Sequence, residues 1–181
     1  MPAPEARIFE NIKTEKPATR KLLELDIKFG DLTDKNVEQF RILNYLNLPV
    51  IYSEDFYRRL INNLRYSKLA YLKDVLVGAI SCKEDDYEGE RVVYIMTITI
   101  LKPYRRYGIA SKLLEQAVKD CAKGNIKKMN LHVQSSNQSA LEFYKKHGFE
   151  IAAKLDDYYT DLQPADCYVL VKNLEQSTTS Q

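Results

Sequence analysis

The stretch Val92-Val93-Tyr94-Ile95-Met96-Thr97-Ile98-Thr99-Ile100-Leu101-Lys102-Pro103-Tyr104-Arg105-Arg106-Tyr107-Gly108-Ile109-Ala110 decides how this chain is read. Its first half is β-branched or aromatic at nearly every position, which predicts a strand buried on both faces. Pro103 has no N–H to donate and ends the ladder. Arg105, Arg106 and Gly108 then stand where an amphipathic helix begins, and a helix N-terminus offers unpaired N–H groups to an anion. A strand feeding such a loop is a site as well as a fold element.

Outward from it, Leu25–Leu32 alternates as a half-buried strand, and Thr33 or Asp34 is placed as the cap of a helix reaching about Asn44. Leu48-Pro49-Val50-Ile51-Tyr52 breaks that helix, and Ser53 caps a second with Glu54 and Asp55 in its first turn. Three strands follow, Ser67–Leu72, Val75–Cys82 and Arg91–Leu101, with Lys73-Asp74 as a two-residue turn and Lys83–Glu90 as a solvated, charged loop. After Gly108, a stripe of Ile109, Leu113, Leu114, Ala117, Val118 and Cys121 marks a helix ended by Lys123-Gly124-Asn125. Lys128–Gln134 is a strand with His132 on its polar side. Asn137 caps a short helix closed by Gly148, and Phe149–Lys154 pairs with Cys167–Lys172 as a final hairpin. The order β-α-α-β-β-β-α-β-α-β-β predicts an α/β fold with a mixed, mostly antiparallel twisted sheet flanked by helices on both faces.

The 181 residues suit one domain, taken as 25–174, with 1–24 as a mobile extension and 175–181 as a polar tail. The net charge of +2 is too small to argue for direct nucleic-acid binding. No apolar run approaches the ~20 residues that span a bilayer. Glu5, Glu10 and Glu15, with no apolar core before them, argue against a signal or transit peptide. Cys82, Cys121 and Cys167 have no paired spacing, so a metal site is not expected and a reducing, intracellular compartment is.

Arg105-Arg106-Tyr107-Gly108-Ile109-Ala110, between strand and helix, followed one βα unit later by Asn137 to Tyr144, resembles the Gcn5-related N-acetyltransferase superfamily over roughly 25–173. Six blocks bring the resemblance closer to the NatE-type (San) protein N-terminal acetyltransferases. They are Tyr94–Thr97, Pro103–Arg106, Leu131–Gln134, Phe143–Glu150, Tyr158-Tyr159 and Pro164–Asp166. The chain departs from that pattern at Leu48, where phenylalanine is usual, at Ala110 in place of a second glycine, and in its N-terminal extension.

The resemblance implies acetyl-CoA as cosubstrate, held by Ile98, Thr99 and Ile100 on the strand, by Arg105, Arg106, Tyr107, Gly108, Ile109, Ala110 and Ser111 in the loop and helix start, and by Asn137, Ser139 and Tyr144 opposite. Tyr144 would lie near the thioester sulfur. It implies Tyr94 and His132 around a catalytic water, with Tyr94 expected on one strand face with Met96 and Ile98. It implies a pocket for an N-terminal methionine and its peptide backbone from Leu48, Pro49, Val50, Tyr52, Met96, Tyr158 and Tyr159. It further implies a larger N-acetyltransferase complex with an auxiliary subunit, the ribosome as neighbour, and a cytoplasmic location that extends to the nucleus.

The chemistry agrees with an N-terminal substrate. An α-amine of pKa ~7.7–8.0 is roughly a quarter neutral near pH ~7.4, against about 0.1% for a lysine amine. Modest base assistance then suffices. A lysine side-chain acetyltransferase would need a stronger base, and no glutamate is obvious on the central strands beside the site. A weakly active docking subunit is the reading from a different class. The cysteines lack a His or carboxylate partner, which disfavours a covalent acyl-enzyme, and His147 reads as structural at its helix C-terminus.

Overall fold

The computed structural model describes residues 25–160 and 162–174, so the extension at 1–24 and the tail at 175–181 lie outside it. Its elements are β1 (Ile27–Asp31), α1 (Val37–Asn47), α2 (Glu54–Ile61), β2 (Lys68–Leu72), β3 (Val75–Tyr87), β4 (Glu90–Ile100), α3 (Ile109–Lys123), β5 (Lys128–Gln134), α4 (Gln138–Lys146), β6 (Glu150–Leu155) and β7 (Cys167–Asn173). The seven strands form one sheet in the order β1-β2-β3-β4-β5-β7-β6. Every pair is antiparallel except β4 with β5.

Two apolar clusters hold helices to opposite faces. On one, Phe40 and Leu43 of α1 and Tyr57 and Leu60 of α2 pack with Leu69 and Ala79. On the other, Ile109, Leu113, Leu114, Ala117 and Cys121 of α3 and Leu141 and Tyr144 of α4 pack with Val77, Ile80, Val93, Ile95 and Met129. The stripe expected on α3 is the face it buries.

Three local expectations are corrected. Residues 83–90 are not a solvated loop: β3 runs on to Tyr87 and β4 starts at Glu90. Glu88 and Gly89 turn between them with φ of +56° and +77°, the left-handed pair that a tight hairpin with matching twist requires. The charges of this segment pair along the hairpin, Arg91 donating from Nε and Nη2 to both carboxylate oxygens of Glu84 at 2.8 and 2.9 Å.

Neither Thr33 nor Asp34 caps α1. Asn36 Oδ1 instead accepts from the Thr33 N–H at 2.7 Å, folding these residues into a turn, so the helix starts at Val37. It also passes Asn44 and ends at Asn47, because Pro49 forces its neighbour Leu48 to an extended ψ of 146°.

The third correction bears on the site. Ser81 pairs with Thr97 but Cys82 pairs with Ile95, which leaves Met96 as an extra residue, a β-bulge in β4. The bulge switches side-chain parity. Tyr94 therefore does not share a face with Ile98: Val93, Ile95, Ile98 and Ile100 all lie toward α3, whereas Met96 packs with the α1 cluster.

Candidate active site

The bulge also opens the sheet. Beyond Val93–Met129 and Tyr94–Asn130, β4 and β5 are no longer paired, and β5 continues against β7 alone. A bulge bends and twists its strand, and here the edge of β4 from Ile95 to Ile100 is left without a neighbour on that side. The backbone groups of that edge can pair with an extended ligand as a strand would.

Along this edge runs a cleft of about 800 Å³. Ile98, Thr99 and Ile100 form one wall; Arg105, Arg106, Gly108, Ile109, Ala110 and Ser111 close one end; Asn137, Ser139, Phe143 and Tyr144 stand opposite; and Leu48 reaches in from the first helical layer. Tyr107 is the one residue expected on the cofactor side that stands outside this lining, with 37% of its surface exposed.

The loop before α3 is shaped by backbone conformation. Arg105 Nε donates to the Ile100 carbonyl at 3.0 Å, fixing the turn off β4. Arg106 and Gly108 have φ of +69° and +76°. A Cβ built on Gly108 meets nothing within 4 Å, so it is the left-handed φ, not crowding by neighbours, that calls for glycine. Helix α3 has no side-chain cap and no acid in its first turn, and its first residues, Ile109, Ala110 and Ser111, line the cleft beside two arginines. This arrangement suits a phosphate or pyrophosphate. Across the cleft, Asn137 Oδ1 accepts from Ala140 N–H at 3.1 Å, so its side chain caps α4. The His147 Nδ1–H donates to the Phe143 carbonyl at 2.7 Å, holding the end of the same helix.

Where the sheet divides, Tyr94 and His132 meet, with Nδ1 of the imidazole 3.1 Å from the phenol oxygen. Burial, with Tyr158, Tyr159 and Tyr52 nearby, pushes the Tyr94 phenol far up, so it stays protonated. Burial first, and then the positive charge of Lys83, pull His132 below the ordinary imidazole range and keep it neutral near pH ~7. Lys83 Nζ lies 5.2 Å from the Tyr94 ring centroid. Sequence reading missed Lys83 because it fell in the supposed loop; the Glu88-Gly89 turn was the signal that could have extended the hairpin.

Aromatic side chains from separate loops gather round this pair. Tyr158 stacks on His132 with centroids 4.6 Å apart and planes 8° from parallel, and Tyr159 stands perpendicular to Tyr158. Their loop is anchored to the end of β5: Gln134 Nε2 donates to the Pro164 carbonyl at 2.8 Å, Ser135 N–H to that of Asp166 at 2.9 Å, and Tyr159 N–H to that of Ala165 at 2.9 Å. Tyr52 packs against Phe56 with ring centroids 4.2 Å apart and planes tilted by 32°, and both Tyr52 and Met96 pack on the α1–α2 cluster. Leu48 and Val50 are half-buried while Pro49 is exposed.

Tyr144 is buried and lines the cleft, its phenol pushed up by burial. The three cysteines are buried, and burial raises each thiol, that of Cys121 to about 12, so none is a poised nucleophile. Among the described residues no three His, Cys, Asp or Glu side chains gather as a metal site would need, and no helix is long and apolar enough to cross a membrane.

Residues 33–149 match the acetyltransferase (GNAT) family. The chain is 42% identical over 149 residues to N-alpha-acetyltransferase 50 of Danio rerio, covering 82% of this chain and 89% of that protein. It is 42% identical over 152 residues to the probable N-acetyltransferase san of Drosophila melanogaster, covering 83% of each. Among solved structures, Arabidopsis thaliana Naa50 in complex with the bisubstrate analogue CoA-Ac-MVNAL superposes with a TM-score of 0.74 at 43% identity, over 81% of this chain and 97% of that one.

Proposed function

The chain belongs to the acetyltransferase (GNAT) family, and from that premise we propose a protein N-terminal acetyltransferase that moves acetyl from acetyl-CoA to the α-amine of chains beginning with Met and an apolar residue. The acetyltransferase domain is taken as 25–174. The pantetheine arm lies along β4 at Ile98–Ile100, and the pyrophosphate sits on the loop and α3 start from Arg105 to Ser111. Asn137, Ser139 and Tyr144 close the far wall. The first residue of the peptide enters among Leu48, Pro49, Val50 and Met96, with Tyr52, Tyr158 and Tyr159 on its backbone. An apolar pocket ringed by phenols suits an uncharged side chain. The analogue bound to the Arabidopsis relative, CoA-Ac-MVNAL, likewise opens with M and V.

In the reaction, the neutral α-amine attacks the thioester carbonyl, a C–N bond forms and the C–S bond breaks. Tyr144, kept protonated by burial, hydrogen-bonds the departing sulfur. The proton lost by the amine leaves through water held by Tyr94 and His132. In the tautomer that serves as acceptor, Nδ1–H donates to the Tyr94 oxygen and leaves Nε2 open, while the Tyr94 O–H points to the water. The net proton passes to CoA thiolate or solvent.

The observation that carries this reading is the 3.1 Å Tyr94–His132 contact at the mouth of the split sheet, where no carboxylate among the described residues shifts either group. Such a pair suits an amine that is already partly neutral and suits lysine poorly. The family likeness extends the proposal to a larger N-acetyltransferase complex with an auxiliary subunit, working at the ribosome in the cytoplasm and also in the nucleus.

The test is turnover with acetyl-CoA and three peptides: a Met-Leu start, a Ser start, and an N-blocked peptide with an internal lysine. The Met-Leu peptide should be acetylated fastest. Acetylation confined to the blocked peptide would point to a lysine enzyme, and cofactor binding without turnover to a docking subunit.

A further inference from the structure

Asn44 lies near the end of α1 with only 1% of its surface exposed. A buried amide is costly unless bonded, so its bonds report what it holds. Its Oδ1 accepts from the Thr99 hydroxyl at 2.9 Å, joining α1 to β4 across 55 positions of sequence. Its backbone carbonyl accepts from the Leu48 N–H at 2.9 Å, the bond that closes α1 and starts the loop to Ser53. One residue thus connects the cofactor strand with the loop that carries Leu48, Pro49, Val50 and Tyr52.

The contrast with its neighbours is informative. The other two buried positions of α1, Phe40 and Leu43, are apolar, as packing alone would favour. Thr97, on the same face of β4, pairs its hydroxyl with Ser81 inside the sheet at 2.7 Å, whereas Thr99 reaches out to a helix. Asn44 also carries a cost that packing does not explain: Nδ2 is buried with no hydrogen-bond partner among the described residues. The Tyr57 phenol lies close enough to this amide for it to offset part of the upward push of burial, although Nδ2 makes no hydrogen bond among the described residues.

We propose that Asn44 is a positioning residue for peptide recognition, holding the first-residue loop in register with β4 through Thr99. The inference rests on the N-terminal acetyltransferase reading above. Asn44→Leu keeps the branched shape, with somewhat more bulk, and removes the side-chain bond; Thr99→Val keeps the shape and removes the hydroxyl. Full-length wild type and variants are compared for peptide KM, kcat, acetyl-CoA Kd and melting temperature.

For Asn44→Leu, the KM of the Met-Leu peptide should rise about fivefold, the scale of one lost bond to an ordered loop. Its kcat and acetyl-CoA Kd should stay within about twofold of wild type, and its preference over the Ser-start peptide should narrow. Thr99→Val should raise the same KM, and the double variant should show less than the product of the two effects. Lower melting temperature with unchanged peptide KM and preference, in either variant, would make the link merely structural and overturn the inference. Wild-type turnover with unaltered variant KM defeats this inference alone; no wild-type turnover of any N-terminus defeats the functional reading and this inference with it.

Discussion

The cleft along β4 and the aromatic cluster where the sheet divides offer contacts of different kinds. Toward α3, the cleft offers backbone groups: the free edge of β4 at Ile98–Ile100, then left-handed Arg106 and Gly108 and the uncapped start of α3. Where the sheet divides, toward α1 and the β6–β7 loop, the groups gathered are side chains: Tyr52, Tyr94, His132, Tyr158 and Tyr159, brought from four places in the chain and standing outside the lining of the cleft. Backbone recognition survives most side-chain changes while φ and ψ hold. Side-chain recognition fails when a single group is removed.

The largest test of this contrast is His132→Ala. Loss of a general base or of the water it orients costs typically 10²–10⁴-fold, so kcat should fall about a hundredfold or more while acetyl-CoA Kd barely moves. Unchanged kcat would remove the imidazole from the mechanism.

The pH profile carries the same assignment. The role proposed for His132 needs the neutral imidazole, and its pKa is lowered, so that contribution should be present above that value and lost as pH falls through it, below the ordinary ~6.5. The substrate amine adds a separate limb near ~7.7–8.0. Wild-type kcat/KM should therefore fall with slope one from about pH 8 and steepen below about 6.5. His132→Ala should keep the first limb and lose the second.

A smaller effect tests the backbone side. Valine at Gly108 must either adopt φ of +76°, at roughly 1–2 kcal/mol or more for a β-branched residue, or shift the loop. Gly108→Val should weaken acetyl-CoA binding about tenfold by calorimetry and leave the peptide preference between Met-Leu and Ser starts unaltered. An unaffected Kd would mean that loop shape does not hold the pyrophosphate.

The same contrast explains what could be read from sequence. The order of all eleven strands and helices was legible, because apolar period and punctuation by Pro103, Gly108 and Gly148 are local signals. The residues placed on the cofactor side, Tyr107 apart, come together along one cleft because they are carried by one strand, one helix start and one helix. The Met96 bulge was not legible, since the extra residue exists only relative to its partners Ser81 and Cys82 on another strand. Lys83 was missed for a related reason: its segment becomes a strand through a positive-φ turn and cross-strand ion pairing, not through its own apolar pattern. The link from Asn44 to Thr99 is longer still in sequence, and an asparagine among apolar helix positions announces no partner.

The smallest effect separates two uses of one residue. Asn137 both lines the cleft and caps α4, its Oδ1 already accepting from Ala140 N–H at 3.1 Å. Replacing an N-cap asparagine by alanine costs about 1 kcal/mol, which for a domain of this size lowers the melting temperature by about 2–4 °C. If the backbone governs the cofactor side, Asn137→Ala should show that drop while acetyl-CoA Kd stays within about twofold. A tenfold loss of affinity with the melting point unchanged would instead make the Asn137 side chain a direct cofactor contact. The proposed division, with backbone holding the cofactor and side chains holding the peptide, would then break at this helix first.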